Sequence, residues 1–269
     1  MRSTSEILHD TRRILTTHPV LWMPAFAIIL LQDAVLPLSL RGGSPTQALA
    51  ALSAALSAVL LGAGWYALMG RAVREGNPSW TDFLDGINAR WLTLLVGTLA
   101  QWGLVLAWAA MLFWYGEHTY GWERLLAWFK PLLELPPAAQ QAALDPSRIP
   151  AWVVGWMNLF ALWFVSVAVL HVLLLFWQPM VVLKGLSWPA AWLGSCGLTL
   201  RRFTQVLAIG LLHGVAWLGA RLMIATLHPA FTLIGVMAYM VTVAFFTLAY
   251  TMLVEDEWPA RAPNLDVRA

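Results

Sequence analysis

Charged side chains are scarce in this sequence. Only 11% of its 269 residues are Asp, Glu, Lys or Arg, whereas 60% are hydrophobic. A water-soluble domain carries about 25% charged residues, which keep its surface hydrated. The composition therefore excludes an ordinary soluble globular protein and predicts that lipid is the main solvent of the chain.

Two further scarcities narrow the classes of function. The chain has one cysteine, Cys196, which excludes an internal disulfide and a cysteine-rich metal site. The formal net charge is only +2, whereas binding to nucleic acid needs a concentrated basic face. We therefore expect no nucleic-acid partner, and the sequence contains no motif that predicts a cofactor or a metal site.

Long apolar runs are what the sequence does contain. The run at residues 91–115 has no charged side chain. A bilayer core of about 30 Å is crossed by roughly 20 helical residues, and a helix satisfies its own backbone there. We predict an all-α, polytopic integral membrane protein whose transmembrane domain covers residues 1–254, followed by a short cytoplasmic tail at 255–269. Its six predicted spans are residues 20–40, 47–70, 91–115, 151–177, 203–227 and 229–254.

Short amphipathic helices are predicted beside these spans. At residues 5–17, apolar side chains recur on one face and charged ones on the other, which is typical of a helix lying in the membrane interface. We predict similar interfacial helices near 79–90, 120–134 and 187–201. The pairs Ser79-Trp80 and Ser187-Trp188 begin two of them, each before a span. With residues 5–17 as a third copy, the chain would contain three units of interfacial helix plus transmembrane hairpin.

The distribution of basic residues predicts the orientation. With both termini in the cytoplasm, eleven Lys or Arg residues lie on the cytoplasmic side of the membrane and four lie on the opposite side. Lys and Arg are enriched on the cytoplasmic side of membrane proteins, so this orientation is strongly favoured. We expect a multi-pass protein of a bacterial cytoplasmic membrane.

Polar residues inside the predicted spans are the candidate functional residues. Asp33 and Arg221 are each the only charged residue of a span. A charge in hydrocarbon costs at least about 2.5 kcal/mol, so we expect these two to form an ion pair; separate hydration and substrate binding are the alternatives. His213 and Gln101 lie at similar depth and predict an interhelical hydrogen bond, with a proton relay as the alternative. His171 lies near the cytoplasmic boundary, too far from His213 to share a metal.

One half-motif points to an enzyme. Asp82, Asp85, Gly86, Ala89 and Arg90 match the first half of the Asp-x-x-Asp-Gly-x-x-Ala-Arg signature of CDP-alcohol phosphotransferases. Those enzymes complete a divalent-metal site with two further aspartates on the following helix. The run at 91–115 contains no carboxylate. We therefore expect these aspartates to form an acidic, solvent-facing side of an interfacial helix.

The sequence GNPSWTDF at residues 76–83 precedes one span, and a similar segment at 187–203 precedes a later one. This arrangement resembles uncharacterised bacterial six-span membrane proteins related to the membrane domain of glycerophosphodiester phosphodiesterases. The resemblance implies a membrane-embedded helical domain without assigned catalytic residues. We expect a non-enzymatic accessory, scaffold or lipid-binding domain. Membrane lipids are the expected partners, with other membrane proteins or a second copy as further candidates. A transporter or permease component is the first alternative, and the phosphotransferase is the second.

The orientation can be tested with a reporter that is active only outside the cytoplasm. Fused after Ala269, the reporter should stay silent, because moving the termini outside would place eleven basic residues on the wrong side. The matched control is the same reporter fused after residue 43, between the first two predicted spans, where it should be active. Activity from the fusion after Ala269 would overturn the orientation.

Overall fold

The structure is a computed structural model that describes residues 2–31, 44–136, 139, 149–225 and 229–257. Helices and short turns account for these residues, and no strand occurs among them, which confirms the predicted all-α class. The α-helices are α1 Thr4–Thr17, α2 Met23–Ile29, α3 Pro45–Glu75, α4 Trp80–Tyr120, α5 Trp122–Leu133, α6 Ala151–Leu173, α7 Trp177–Lys184, α8 Trp188–Arg201, α9 Phe203–Ala225 and α10 Pro229–Glu257.

Five stretches of helix are long and apolar enough to cross a membrane. They are α3, α4, α6 together with α7, α9 and α10. The first predicted span, 20–40, begins in the short apolar helix Pro19–Ile29 and continues into residues outside the described part of the chain. Five of the predicted spans are thus present as helices that could cross a membrane.

The chain divides into two compact units. The first contains Met1–Gly97 and Leu173–Ala269, and the second contains Thr98–Val172. In the first unit, α10 packs against α1, α2, α3, α7 and α9. A helix that is hydrophobic all round is stable when it is buried on all sides. The C-terminal half of α10 fits this rule, because several of its side chains have no exposed surface: Ala244, Leu248, Ala249, Met252, Leu253 and Val254.

Helix α1 has the predicted amphipathic character. Ile7, Thr11 and Leu15 are buried, and their spacing of four residues places them on one face. A capping box starts the helix: the Ser3 hydroxyl accepts from the backbone N–H of Glu6, and the Glu6 carboxylate accepts from the backbone N–H of Ser3. The buried face of α1 packs on α10.

The other predicted interfacial segments have different outcomes. Helices α5 and α8 coincide with the segments predicted at 120–134 and 187–201. The segment at 79–90 instead forms the first turns of α4, which runs for 41 residues without interruption. The sequence has no proline or capping residue at the boundary between Arg90 and Trp91, so it contains no signal that would end the helix there. Gly86 allows close packing at this point, since a Cβ on it would lie 2.4 Å from the Cβ of Ala67.

The fourth predicted span, 151–177, is broken near its end. Helix α6 ends at Leu173 and α7 begins at Trp177. Pro179, in the first turn of α7, has no backbone N–H to continue the ladder from α6. Ser195 of α8 bridges the break: its hydroxyl accepts from the N–H of Phe176 at 3.0 Å and donates to the carbonyl of Leu173 at 2.7 Å. The buried side chain of Ser195, from the helix that follows α7, therefore satisfies backbone groups that the break would leave unpaired.

The second unit is a helical hairpin with α5 packed on it. Its small core contains Leu125, Val153 and Trp156. Glycines let large rings approach the opposite helix: a Cβ on Gly116 would lie 2.6 Å from the Trp156 ring, and one on Gly155 would lie 2.4 Å from the ring of Tyr120. Aromatic side chains thus fill the space that these glycines leave.

Ser195→Ala should destabilise the protein by about 1–3 kcal/mol, because it strands a buried N–H and a buried carbonyl. Thermal or denaturant unfolding in one detergent would measure the change. Ser166→Ala is the matched control, since the Ser166 hydroxyl is exposed and donates at 2.7 Å to Leu162 of its own helix. Equal effects of the two substitutions would show that the bridge contributes nothing.

Candidate functional site

The end of α10 carries three consecutive acidic residues, Glu255, Asp256 and Glu257. We call these residues and the cations they bind the Glu255–Glu257 cluster. The carboxylate of Glu255 lies 3.0 Å from Nη1 of Arg74 and 2.7 Å from Nζ of Lys184. Glu255 is only 7% exposed and the Lys184 side chain only 9%. A buried carboxylate between two cations requires both partners, since a stranded charge is far costlier than the pair is favourable.

Asp256 binds the N-terminal segment. Nη2 of Arg2 lies 2.6 Å from the Asp256 carboxylate, and Nε of Arg2 donates to the same oxygen at 2.9 Å. Nη1 of Arg2 also reaches Asp10 of α1 at 3.4 Å. Hydrogen bonding to Asp256 raises the pKa of the Arg2 guanidinium further above its ordinary value. The chain's N-terminal segment and the end of its last helix are therefore joined.

Glu257 binds the end of α8. Its two oxygens accept from Nε of Arg201 at 2.9 Å and from Nε of Arg202 at 3.1 Å. Arg202 also donates to Oε1 of Gln205 at 2.8 Å, and Nε2 of Gln205 donates to the backbone carbonyl of Arg2 at 3.0 Å. The cluster thus connects α10 with α3, α7, α8 and the segment before α1.

Helix termini explain why cations gather at this place. Arg74 and Lys184 lie in the last turns of α3 and α7, which end at the left-handed glycines Gly76 and Gly185. The C-terminus of a helix carries partial negative charge, which favours Lys and Arg there. Acidic residues in the last turn of α10 interact unfavourably with its helix dipole. The surrounding cations must therefore offset both the acidic side chains and the negative end of the helix. Three consecutive acids directly after the last apolar run, in a chain with only 14 acidic residues, were the available sequence signal.

Arg221, on α9, contacts aromatic side chains of the last hairpin. Its Nη2 donates to the hydroxyl of Tyr239 on α10 at 3.2 Å. The guanidinium also lies 4.5 Å from the centre of the Tyr239 ring and 5.5 Å from that of Trp217. Asp33 lies outside the described residues, so the Asp33–Arg221 ion pair stays a prediction.

His213 also faces α10. Its ring stacks on Phe246 with centroids 4.7 Å apart, and its Nδ1 lies 3.4 Å from the Tyr250 hydroxyl. Gln101 belongs to the second unit, so its predicted bond with His213 stays a prediction. His171 lies on an exposed side of α6. The structure thus groups Arg221 and His213 along one hairpin, each with a tyrosine, which sequence reasoning missed because it considered no tyrosine partner.

The two aspartates of the half-motif occupy the start of α4. The Asp82 carboxylate accepts from the backbone N–H of Ser79 at 2.8 Å and from its hydroxyl at 2.7 Å, and it lies 3.7 Å from Nε of Arg71. Asp85 is exposed. In the described part of the chain, no three His, Cys, Asp or Glu side chains are grouped as they would be to hold a metal ion. Asp82 thus stabilises the first turn of a helix by accepting the free donors at its N-terminus.

Comparison with known proteins identifies the family. Residues 4–256 match the model of a family described as Domain of unknown function (DUF7847). The chain belongs to this family. The match runs from the first residue of α1 to Asp256, so it includes the helices that form the Glu255–Glu257 cluster. No curated protein and no solved structure matches the chain.

Glu255→Gln should destabilise the protein by about 3–5 kcal/mol, because it leaves the buried Lys184 without its counter-charge. Glu255→Leu and Lys184→Met, made singly and together, complete a double-mutant cycle in unfolding experiments, in which the double variant should recover most of the loss. Glu75→Gln is the control, since Glu75 pairs with Arg71 on an exposed helix surface and should cost less than about 1 kcal/mol. Additive single effects at Glu255 and Lys184 would contradict the coupling.

Proposed function

We propose that the protein is a non-enzymatic membrane scaffold: a six-span domain that keeps one conformation and acts through its surfaces. The observation that carries this proposal is the burial of the C-terminal half of α10 by α1, α2, α3, α7 and α9. Interiors packed in this way do not deform gradually, and large changes need a second packing of comparable stability. A solid core around the last helix therefore favours a fixed framework over a moving one.

The proposed number of spans is supported by a contact between the ends of the described chain. Arg2 binds Asp256, so both residues lie on the same side of any membrane that the protein crosses. The chain between them must then cross an even number of times. Five helices are long and apolar enough to cross, and we propose that the predicted span at 20–40 is the sixth. The excess of basic residues on the side of the termini favours the cytoplasm, and we propose a bacterial cytoplasmic membrane as the location.

The proposed three-fold repeat has partial support from the helix bounds. Helix α8 and the first turns of α4 each precede an apolar helical hairpin, and α1 precedes the apolar helices α2 and α3. The kinship with the membrane domain of glycerophosphodiester phosphodiesterases stays a prediction. In both cases the spacing of helices is the supporting feature, and no side chain of the repeat is assigned a chemical role.

A transporter component is the second candidate, and the contacts of His213 and Arg221 in the last hairpin favour it. Polar side chains inside spans often mark the path of an ion or substrate. Two cavities between long helices have mostly apolar linings, however, which favours the scaffold. One lies between α4 and α6, and the other lies between α3 and α4, where Asn88 is its one polar side chain. Hydrogen bonds of His213 and Arg221 to tyrosines give both residues a structural role.

Distance measurements between spin labels would distinguish the two candidates. With Cys196 replaced by Ser, one label pair at Arg12 and Glu75 reports on the end that carries the Glu255–Glu257 cluster. A second pair at Thr46 and Gly219 reports on the opposite end. A scaffold should give one narrow distance distribution for each pair, in detergent and in lipid nanodiscs. Two populations that change in opposite directions at the two ends would support a transporter and overturn the scaffold.

A further inference from the structure

The hairpin of the second unit contains an apolar cavity. It has a volume of about 250 Å³ and lies between the C-terminal half of α4 and the first half of α6. Its lining comprises Ala109, Leu112, Phe113, Trp156, Leu159, Phe160 and Trp163. A water molecule needs two to four polar partners, which this lining does not supply. Within the proposed membrane, the acyl chains of lipids are therefore the groups that can fill this cavity.

A cation lies above this cavity on the same side of α6. The guanidinium carbon of Arg124, on α5, lies 4.5 Å from the centre of the Trp152 ring. Trp152 comes one helical turn before Trp156, which lines the cavity, so both rings project from the same face of α6. Trp156 stacks on Phe160 with centroids 5.8 Å apart and continues the aromatic column into the cavity. Arg124 is exposed, and none of the ion pairs among the described residues includes it.

Helix α5 places Arg124 at the depth of lipid headgroups. Leu125 of α5 is buried against α6, whereas Leu126, Phe129 and Leu133 are exposed. A helix with this pattern at the end of a hairpin lies in the interface between hydrocarbon and water. A phosphate at that level would meet Arg124, and an acyl chain attached to it would run along Trp152 towards the cavity. Tryptophan rings and cationic side chains are enriched at this depth of a membrane.

We propose that this hairpin is a binding site for one glycerophospholipid, whose phosphate binds Arg124 and one of whose acyl chains occupies the cavity lined by Trp156 and Trp163. Charge complementarity selects the phosphate, because Arg124 lacks a carboxylate partner among the described residues. The shape and the apolar lining select the chain. This inference rests on the proposed membrane scaffold and names the class of molecule that its second unit binds.

The test uses the full-length protein, purified in detergent and stripped of lipid, with dioleoylphosphatidylglycerol as the probe. Dioleoylglycerol, which has the same chains without a phosphate, separates the two halves of the site. The wild-type protein should bind one phosphatidylglycerol per chain by native mass spectrometry, and its unfolding temperature should rise by several degrees. Dioleoylglycerol should bind about tenfold more weakly.

Two pairs of variants assign the contacts. Ala109→Phe fills the cavity and should weaken binding of both lipids at least tenfold, whereas Ala110→Phe, on the exposed side of the same turn, should leave it unchanged. Arg124→Gln should weaken only phosphatidylglycerol, by about tenfold, and Arg124→Lys should retain it. Lys130→Gln, elsewhere on α5, is the control for general surface charge. If Ala109→Phe does not fold, Ala109→Leu provides a smaller filling of the same space.

Equal binding by Ala109→Phe and Ala110→Phe would overturn the cavity as the site. Equal loss of both lipids in Arg124→Gln, or no loss of either, would overturn the assignment of the phosphate. If the lipid does not bind but the spin-label distances stay narrow, the lipid site is overturned and the scaffold proposal stands. Broad, two-state distances combined with retained lipid binding would overturn the scaffold and leave the site in place.

Discussion

The first unit depends on the ion pairs that the buried Glu255 carboxylate forms with Lys184 and Arg74. This carboxylate lies at the end of α10, the helix against which α1, α2, α3, α7 and α9 pack. The last turns of α3, α7 and α10 bring three negative helix ends to one place, and the acids of α10 add to that charge. Without cations at these positions, the most buried helix could not end where it does. Because stranding any member of the group is costly, these ion pairs hold the ends of α3, α7 and α8 and the N-terminal segment against the end of α10.

Polar side chains within the long helices also have partners, which are hydroxyl groups instead of charged groups. Arg221 and His213 meet the hydroxyl groups of Tyr239 and Tyr250, whose rings also pack in the apolar interior. Tyrosine suits this position because one end of its side chain is apolar and the other accepts or donates a hydrogen bond. Such contacts hold α9 on α10 without an open polar path. This is the pattern expected of a framework that is stable in lipid.

The second unit is stabilised in a different way. Its core is aromatic, with Trp156 at its centre and Gly116 and Gly155 making room for rings of the opposite helix. Rings that pack on small residues leave gaps when no side chain has the required shape, and the cavity beside Trp156 is such a gap. A lipid chain in that gap would restore the contacts that the lining lacks. The two units therefore differ in what completes them: ion pairs in the first, and membrane lipid in the second under the site proposed above.

The sequence by itself determined the helical class, the positions of the long apolar helices and the buried face of α1, because these depend on the spacing of apolar residues within one segment. Tertiary structure decided the rest. The bridge from Ser195 to Leu173 and Phe176 could not be derived from hydropathy. The Glu255–Glu257 cluster is the clearest case, since Arg2 and Asp256 are 254 residues apart. Local patterns record which solvent a side chain prefers, whereas the choice of a charged partner depends on how distant helix ends are brought together by packing.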